Sequence, residues 1–203
     1  MSERVNEKKR SVFIGGLKKF SESSREMSKP LNLAITAMML ALSVVLGYLS
    51  NMSIPFLGTN TIKIGFDVFP IIIIAVMFGP VPAGIAGGLR DIIGYLLAPM
   101  GAYIPGFTIS YILIGMIYGV AFYKEKMTLK RIIVTELIVT VFINLFLGVL
   151  WFRVFYGMPI DKAFKIRGLK EIVDVPFSII VTYFGYKLLH KVPEFRRANK
   201  KNA

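Results

Sequence analysis

Two sets of residues in this sequence have the types and spacing to do chemistry. The first is Arg90 with Asp91, adjacent ionisable residues inside an otherwise apolar run from 81 to 98. Ionisable groups at membrane depth are costly and are candidate functional groups by default. Two uses stay open for them: contact with a ligand, or satisfaction of a neighbouring helix end. Asn144, in the middle of another apolar run, is a weaker instance whose simplest use is an interhelical hydrogen bond. The second set mixes cations with rings. Lys63, Arg153, Lys162, Lys165, Arg167 and Lys170 lie among Phe66, Tyr103, Phe107, Trp151, Phe152 and Tyr156, with Asp67, Asp161, Glu171 and Asp174 as the nearby acids. Such a mixture suits a flat anionic ligand, because rings stack and a cation pairs with a carboxylate. The same residues would also serve as an aromatic belt at headgroup level with solvated charges. Both readings stand.

Other chemistries are excluded by what is missing. The sequence has no cysteine and a single histidine, His190, so thiolate sites, histidine metal clusters and Ser–His relays are out. No phosphate-cradling G-x-x-x-x-G-K-[ST], no H-E-x-x-H and no nucleophile elbow occurs. Carboxylates never pair closely inside an apolar run, which leaves general acid–base catalysis poorly served. The chain reads as a binder or carrier, not an enzyme, with no cofactor or metal implied.

The elements that must position these residues follow from composition. Of 203 residues, 55% are hydrophobic and 18% charged, against roughly 45–50% and 25% in soluble domains. The predicted fold class is therefore an all-α integral membrane protein. Runs of about 20 apolar residues mark spans, and six candidates occur, at 31–49, 67–78, 81–98, 107–123, 132–152 and 168–189. The second is short and interrupted by Pro70.

The net charge of +13 would suggest nucleic acid in a soluble protein, but its distribution does not. Of 25 Lys and Arg, eight fall in 1–30, four in 124–131 and six in 187–203. Six spans put all three stretches on one side, which the positive-inside rule makes the cytoplasm. A compact six-helix bundle with both termini cytoplasmic is expected in a bacterial plasma membrane. Residues 1–30 and 191–203 form basic tails, in contact with lipid headgroups, around a 31–190 membrane domain. The 30 N-terminal residues are not expected to be a cleaved signal; Phe13, Leu17 and Phe20 would share one face of a short interfacial helix, if the tail is ordered.

Segments 50–66, 99–106 and 153–167 then face outward. The first and last are long enough to suggest a cover over a cavity. Asp91 continues a stripe of Gly84, Gly87 and Gly88, so it should face a closely packed helix. Ala37 and Ala41, extended one turn earlier by Ala34, form a small-x-x-x-small face that lets another helix approach; Gly115 and Gly119 do the same on the fourth span.

With these residues in view, the sequence resembles the substrate-binding S-components of energy-coupling factor (ECF) vitamin transporters, most closely the folate-specific ones. The resemblance covers about residues 31–190. It is carried by Ala37-x-x-x-Ala41, IKIGFDVFPIII at 62–73, FGPVPAGIAGGLRDIIGYLL at 78–97 and PMGAYIPGFTISYILIGMIYG at 99–119. It implies a six-helix protein that binds its vitamin from outside with high affinity. A separate ECF module, two cytoplasmic ATPases and a transmembrane coupling protein, then delivers the vitamin. It also implies that Ala34, Ala37 and Ala41 dock onto the coupling protein. The implied binding residues are Lys63, Phe66, Asp91, Tyr103, Phe107, Asn144, Trp151 and Arg167. Arg90 departs from the pattern, where an apolar or small residue is expected.

The implied ligand, folate or a reduced folate, carries a flat pterin, a benzoyl ring and two carboxylates, which matches the excess of rings and cations read from the residues alone. An S-component for biotin, riboflavin, pantothenate or thiamine is the alternative within the family. A stand-alone transporter driven by protons through Asp91 or Glu136 is the alternative outside it.

Overall fold

In a computed structural model of the chain, residues 16, 18–50, 67–99, 101–189 and 191 are described. All regular structure among them is helical. A short segment at 18–26 precedes α1 (Pro30–Ser50), α2 (Val68–Phe78), α3 (Pro80–Leu97) and α4 (Pro105–Phe122). Next comes a near-continuous rod of α5 (Leu129–Ile138), a π-helical stretch (Val139–Leu147) and α6 (Gly148–Tyr156), and last α7 (Ile160–Leu189).

Local sequence explains most boundaries. Pro80 and Pro105 open α3 and α4, where a missing N–H costs nothing and the fixed φ suits the first turn. The Thr128 side chain accepts from the Arg131 N–H and caps α5. Gly157, with φ +61°, closes α6 in the left-handed conformation.

The centre of the bundle is a short helix. α2 reads VFPIIIIAVMF, apolar on every side, and Ile71 to Val76 are at most 7% exposed. A helix apolar all round belongs inside others. Its 11 residues make about 16 Å of helix, half the thickness of a bilayer core. The 30–49, 105–122 and 129–156 stretches are each long and apolar enough to cross a membrane. Each predicted span overlaps helical residues, the fifth running over α5, the π-helical stretch and α6, and among the described residues three stretches alone are long and apolar enough to cross a membrane.

The structure corrects one expectation. Segment 153–167, read as a long outward loop, is mostly helical: α6 runs to Tyr156 and α7 begins at Ile160. Hydropathy sees only apolar runs, and the first turns of α7 mix exposed Asp161, Lys162 and Lys165 with apolar residues, of which Ala163 alone is fully buried. Segment 50–66 lies almost wholly outside the described residues.

The tightest contact joins α3 to α4. A Cβ on Gly87 or Gly115 would strike backbone of the facing helix, at Tyr111 and Ala83 respectively. Gly115 and Gly119 are therefore spent on internal packing and are not open to a partner. The expected neighbour of the Gly84–Gly87–Gly88 stripe is α4. Ala34, Ala37 and Ala41 are all exposed, on an α1 that buries little of itself.

Candidate functional site

A cavity of about 410 Å³ opens among α1, α2, α3, α4, the π-helical stretch and α7. Ala98, Ala102 and Tyr103 at one end of the bundle, with Tyr156 of α6, contribute to its wall, and Tyr118, Glu136 and Ser178 line it further along their helices. Five of the predicted binding residues line it: Asp91, Tyr103, Phe107, Asn144 and Arg167.

Each is held by a neighbour. Asp91 accepts from the Thr108 hydroxyl at 2.6 Å, which leaves Thr108 Oγ1 to accept from the Tyr103 hydroxyl at 2.5 Å. This chain ties α3 to the start of α4 and answers the expectation for Asp91. Asn144 Nδ2 donates to Glu171 Oε2 at 3.1 Å, tying the π-helical stretch to α7. A π-helical register is common at functional sites; here it carries Thr140, Ile143 and Asn144 to the wall.

Arg167 has different surroundings. Its guanidinium carbon lies 4.8 Å from the Phe152 ring centroid and 5.4 Å from that of Phe107. Gly148 leaves it room, since a Cβ there would sit 3.2 Å from Cζ. No carboxylate among the described residues comes within ion-pair distance of it, and its Nε is buried without a hydrogen-bond partner. Glu171 Oε1 and Asp174 Oδ1 are likewise buried and unpartnered, although Asp174 pairs with Lys170 at 3.0 Å through its other oxygen.

Arg90 is the contrasting cation. It forms an ion pair with Asp67 and stacks over Tyr111 at 4.7 Å from the ring centroid. Gly47 of α1 makes space for it, as a Cβ there would fall 2.5 Å from Nη2. Its charge is paired within the protein, while its Nε, like that of Arg167, is buried without a hydrogen-bond partner.

Trp151 stands behind the wall. Its indole covers Gly106 and its Nε1 donates to Ser110 Oγ at 3.0 Å; Ser110 lines the cavity, and Trp151 does not. Lys63 and Phe66 lie outside the described residues. Arg153, Lys162 and Lys165 are exposed, away from the wall.

Sequence reasoning did not single out the Tyr118–Glu136–Ser178 group as a site. Glu136 is 3% exposed and accepts from the Tyr118 and Ser178 hydroxyls, each at 2.8 Å. A signal existed in α7, where Arg167, Lys170, Glu171, Asp174 and Ser178 recur at the spacing of one helix face. Tyr111 carried no such signal. Chemically the cavity combines unpaired cationic and anionic hydrogen-bonding groups with aromatic walls. It can hold a flat ligand that bears both carboxylates and N–H donors.

The comparisons with known proteins agree with this geometry. A family profile described as "ECF transporter, substrate-specific component" matches residues 31–186. The folate transporter FolT of Clostridium novyi is 36% identical over 144 residues, covering 71% of this chain and 84% of that protein. FolT of Streptococcus mutans is 28% identical over 179 residues, covering 83% and 91%. A crystal structure of FolT bound with folic acid superposes with a TM-score of 0.67 at 34% identity, over 77% of this chain and 92% of that one. On the family profile and the Clostridium novyi relative together, the chain belongs to the membrane-embedded substrate-specific components of ECF transporters.

Proposed function

We propose that this chain is the folate-binding S-component of an ECF-type importer, capturing folate or a reduced folate with high affinity from outside the cell. The observation that carries the reading is Arg167: a half-buried cation in a cavity wall, flanked by Phe107 and Phe152, with its Nε buried and no carboxylate among the described residues paired to it. A ligand carboxylate is the missing partner, and rings beside it suit a benzoyl or pterin plane. The likeness to folate-bound FolT supports the same ligand. Asp91, Tyr103, Phe107, Asn144 and Arg167 are the proposed contacts, together with Lys63 and Phe66. Trp151 acts at one remove, through Ser110 and Gly106.

In this reading the chain crosses the plasma membrane six times, with both basic tails cytoplasmic around the 31–190 domain. Ala34, Ala37 and Ala41 dock onto the transmembrane coupling protein of a module that also holds two ATPases. Their exposure on a sparsely buried α1 supports that role.

The test is a titration of the purified protein with folate, biotin, riboflavin, pantothenate and thiamine. Saturable, stoichiometric binding of folate alone is expected; preference for another vitamin would move the chain to a different branch of the family. Replacing Ala37 or Ala41 with Leu should abolish uptake and leave binding intact. Normal uptake by both variants would reject the docking face, and uptake in vesicles without ATP or the module would favour a proton-driven carrier.

A further inference from the structure

The helical segment 18–26 makes buried contacts that neither folate capture nor the Ala face uses. Ser23 is 0% exposed although it lies in the basic tail. Its hydroxyl donates to Phe78 O at 2.7 Å, the last residue of α2, and accepts from Val81 N at 3.1 Å, in the first turn of α3. One side chain therefore satisfies an orphan carbonyl of one helix and an orphan N–H of the next, the groups that end caps exist to satisfy. The residue between, Gly79, has φ +88°, and a Cβ there would lie 2.7 Å from Ser23 Oγ, so the turn admits Ser23 only because it is glycine. A turn away, Lys19 Nζ donates to Val120 O and to Glu125 Oε1, both at 3.0 Å. Lys124 Nζ reaches Glu22 at 2.8 Å. The segment thus grips the α2–α3 turn and the α4–α5 turn together.

It is also joined stiffly to α1. Between them Lys29 pairs with Glu26 at 2.7 Å, Asn32 Nδ2 donates to Glu26 Oε2 at 2.6 Å, and Leu33 N donates to Lys29 O at 3.1 Å. Only 11% of the apolar window of α1 is buried, so its own packing holds it weakly.

We infer that residues 18–26 are a strap that fixes the inner end of α1, with Ser23, Lys19 and Glu22 as positioning residues for the Ala34–Ala37–Ala41 face. The inference rests on the docking role proposed for that face. The strap sets how the face is presented to the coupling protein and takes no part in holding the vitamin.

Two full-length variants test it: Ser23→Leu, which has no room beside Gly79 and expels the strap, and Glu22→Lys, which sets like charges together. Amide exchange over 30–37, measured without any partner, should quicken about tenfold, the order expected for a lost capping interaction. Folate affinity should be unchanged, and module-dependent uptake should fall severalfold. The exchanged pair Glu22→Lys with Lys124→Glu should recover both exchange and uptake. Unaltered exchange over 30–37 in Ser23→Leu would overturn the strap. Quickened exchange with full uptake would overturn its link to docking, and folate affinity falling in step with uptake would show a general fold defect instead. Absence of folate binding in the unaltered protein would reject the ligand and leave the exchange result standing.

Discussion

The two ends of this bundle treat charge in opposite ways. At the strap end, Lys19, Lys124 and Arg131 are answered by Glu22 and Glu125, with Glu125 bridging Lys19 at 3.0 Å and Arg131 at 2.7 Å. At the cavity end, Arg167 forms no ion pair among the described residues, and Glu171 and Asp174 each keep a buried oxygen without a donor. Buried polar groups left unpaired cost a protein stability. A hollow of about 410 Å³ lies beside them, and in the function proposed above these groups wait for a ligand that supplies the complements. Arg90, on the same wall, stands between the two: it pairs with Asp67, yet its Nε, like that of Arg167, is buried without a hydrogen-bond partner.

The comparison can be broken most directly at Arg167. Replacing it with Met keeps the length and removes the charge. A charge-assisted hydrogen bond contributes about 1.5–3 kcal/mol, so folate affinity should fall roughly tenfold to a hundredfold. The unliganded protein should at the same time melt no lower than the parent, because an uncompensated buried charge has been removed. Arg131→Met, at the strap end, should do the reverse, lowering the melting temperature while a folate titration stays unchanged. A loss of affinity in both variants would mean that the two ends are not separable in function.

Much of this division was legible in sequence, and the exceptions are instructive. Spans, the inward-facing glycine stripe and the aromatic–cation mixture follow from hydropathy and composition, which need no partner to be read. Pairing does need one. Nothing local distinguishes Arg90 from Arg167, since Asp67, just before α2, meets Arg90 of α3 only through tertiary packing, and Phe152 meets Arg167 only across two helices. Trp151 depends on pairing in the same way: its indole closes over Gly106 and its Nε1 donates to Ser110, neither of them adjacent in sequence. Ser23 was invisible as a cap because the groups it satisfies are more than 50 residues away.

The Trp151 contact sharpens the cavity end. A Cβ at position 106 would come within 2.7 Å of indole Cε2 and Cε3, so Gly106→Ala must push the ring aside and with it the hydrogen bond to Ser110. Overpacking of this kind costs about 1–3 kcal/mol. Folate affinity should drop by less than in Arg167→Met, and the emission of the single tryptophan should shift in the absence of ligand. Trp151→Phe should lose about 1 kcal/mol with its one hydrogen bond. An unshifted emission in Gly106→Ala would show that the indole is not seated where this packing requires.

The smallest effect expected is that of pH on the strap end. The hydrogen bond from Lys124 holds the Glu22 carboxyl below its usual range, and the one from Arg131, seconded by Lys19, does the same for Glu125. A carboxylate whose folded pKa is depressed stabilises the fold above its unfolded pKa, about 4.3 for Glu, and loses that contribution as pH falls through the lower folded value. Both carboxyls are about a third exposed, so solvent screens them and the effect is slight. Between neutral pH and pH 5 the strap should therefore be indifferent to acid. Below the ordinary Glu range, amide exchange over 18–26, corrected for its intrinsic pH dependence, should rise before that of α2, and Glu125→Gln should show the raised exchange already at neutral pH. Salt should mimic acid weakly, because screening acts on the same pairs. If exchange over 18–26 instead stays level with that of α2 down to pH 3, the ion pairs contribute nothing and Ser23 alone holds the segment in place.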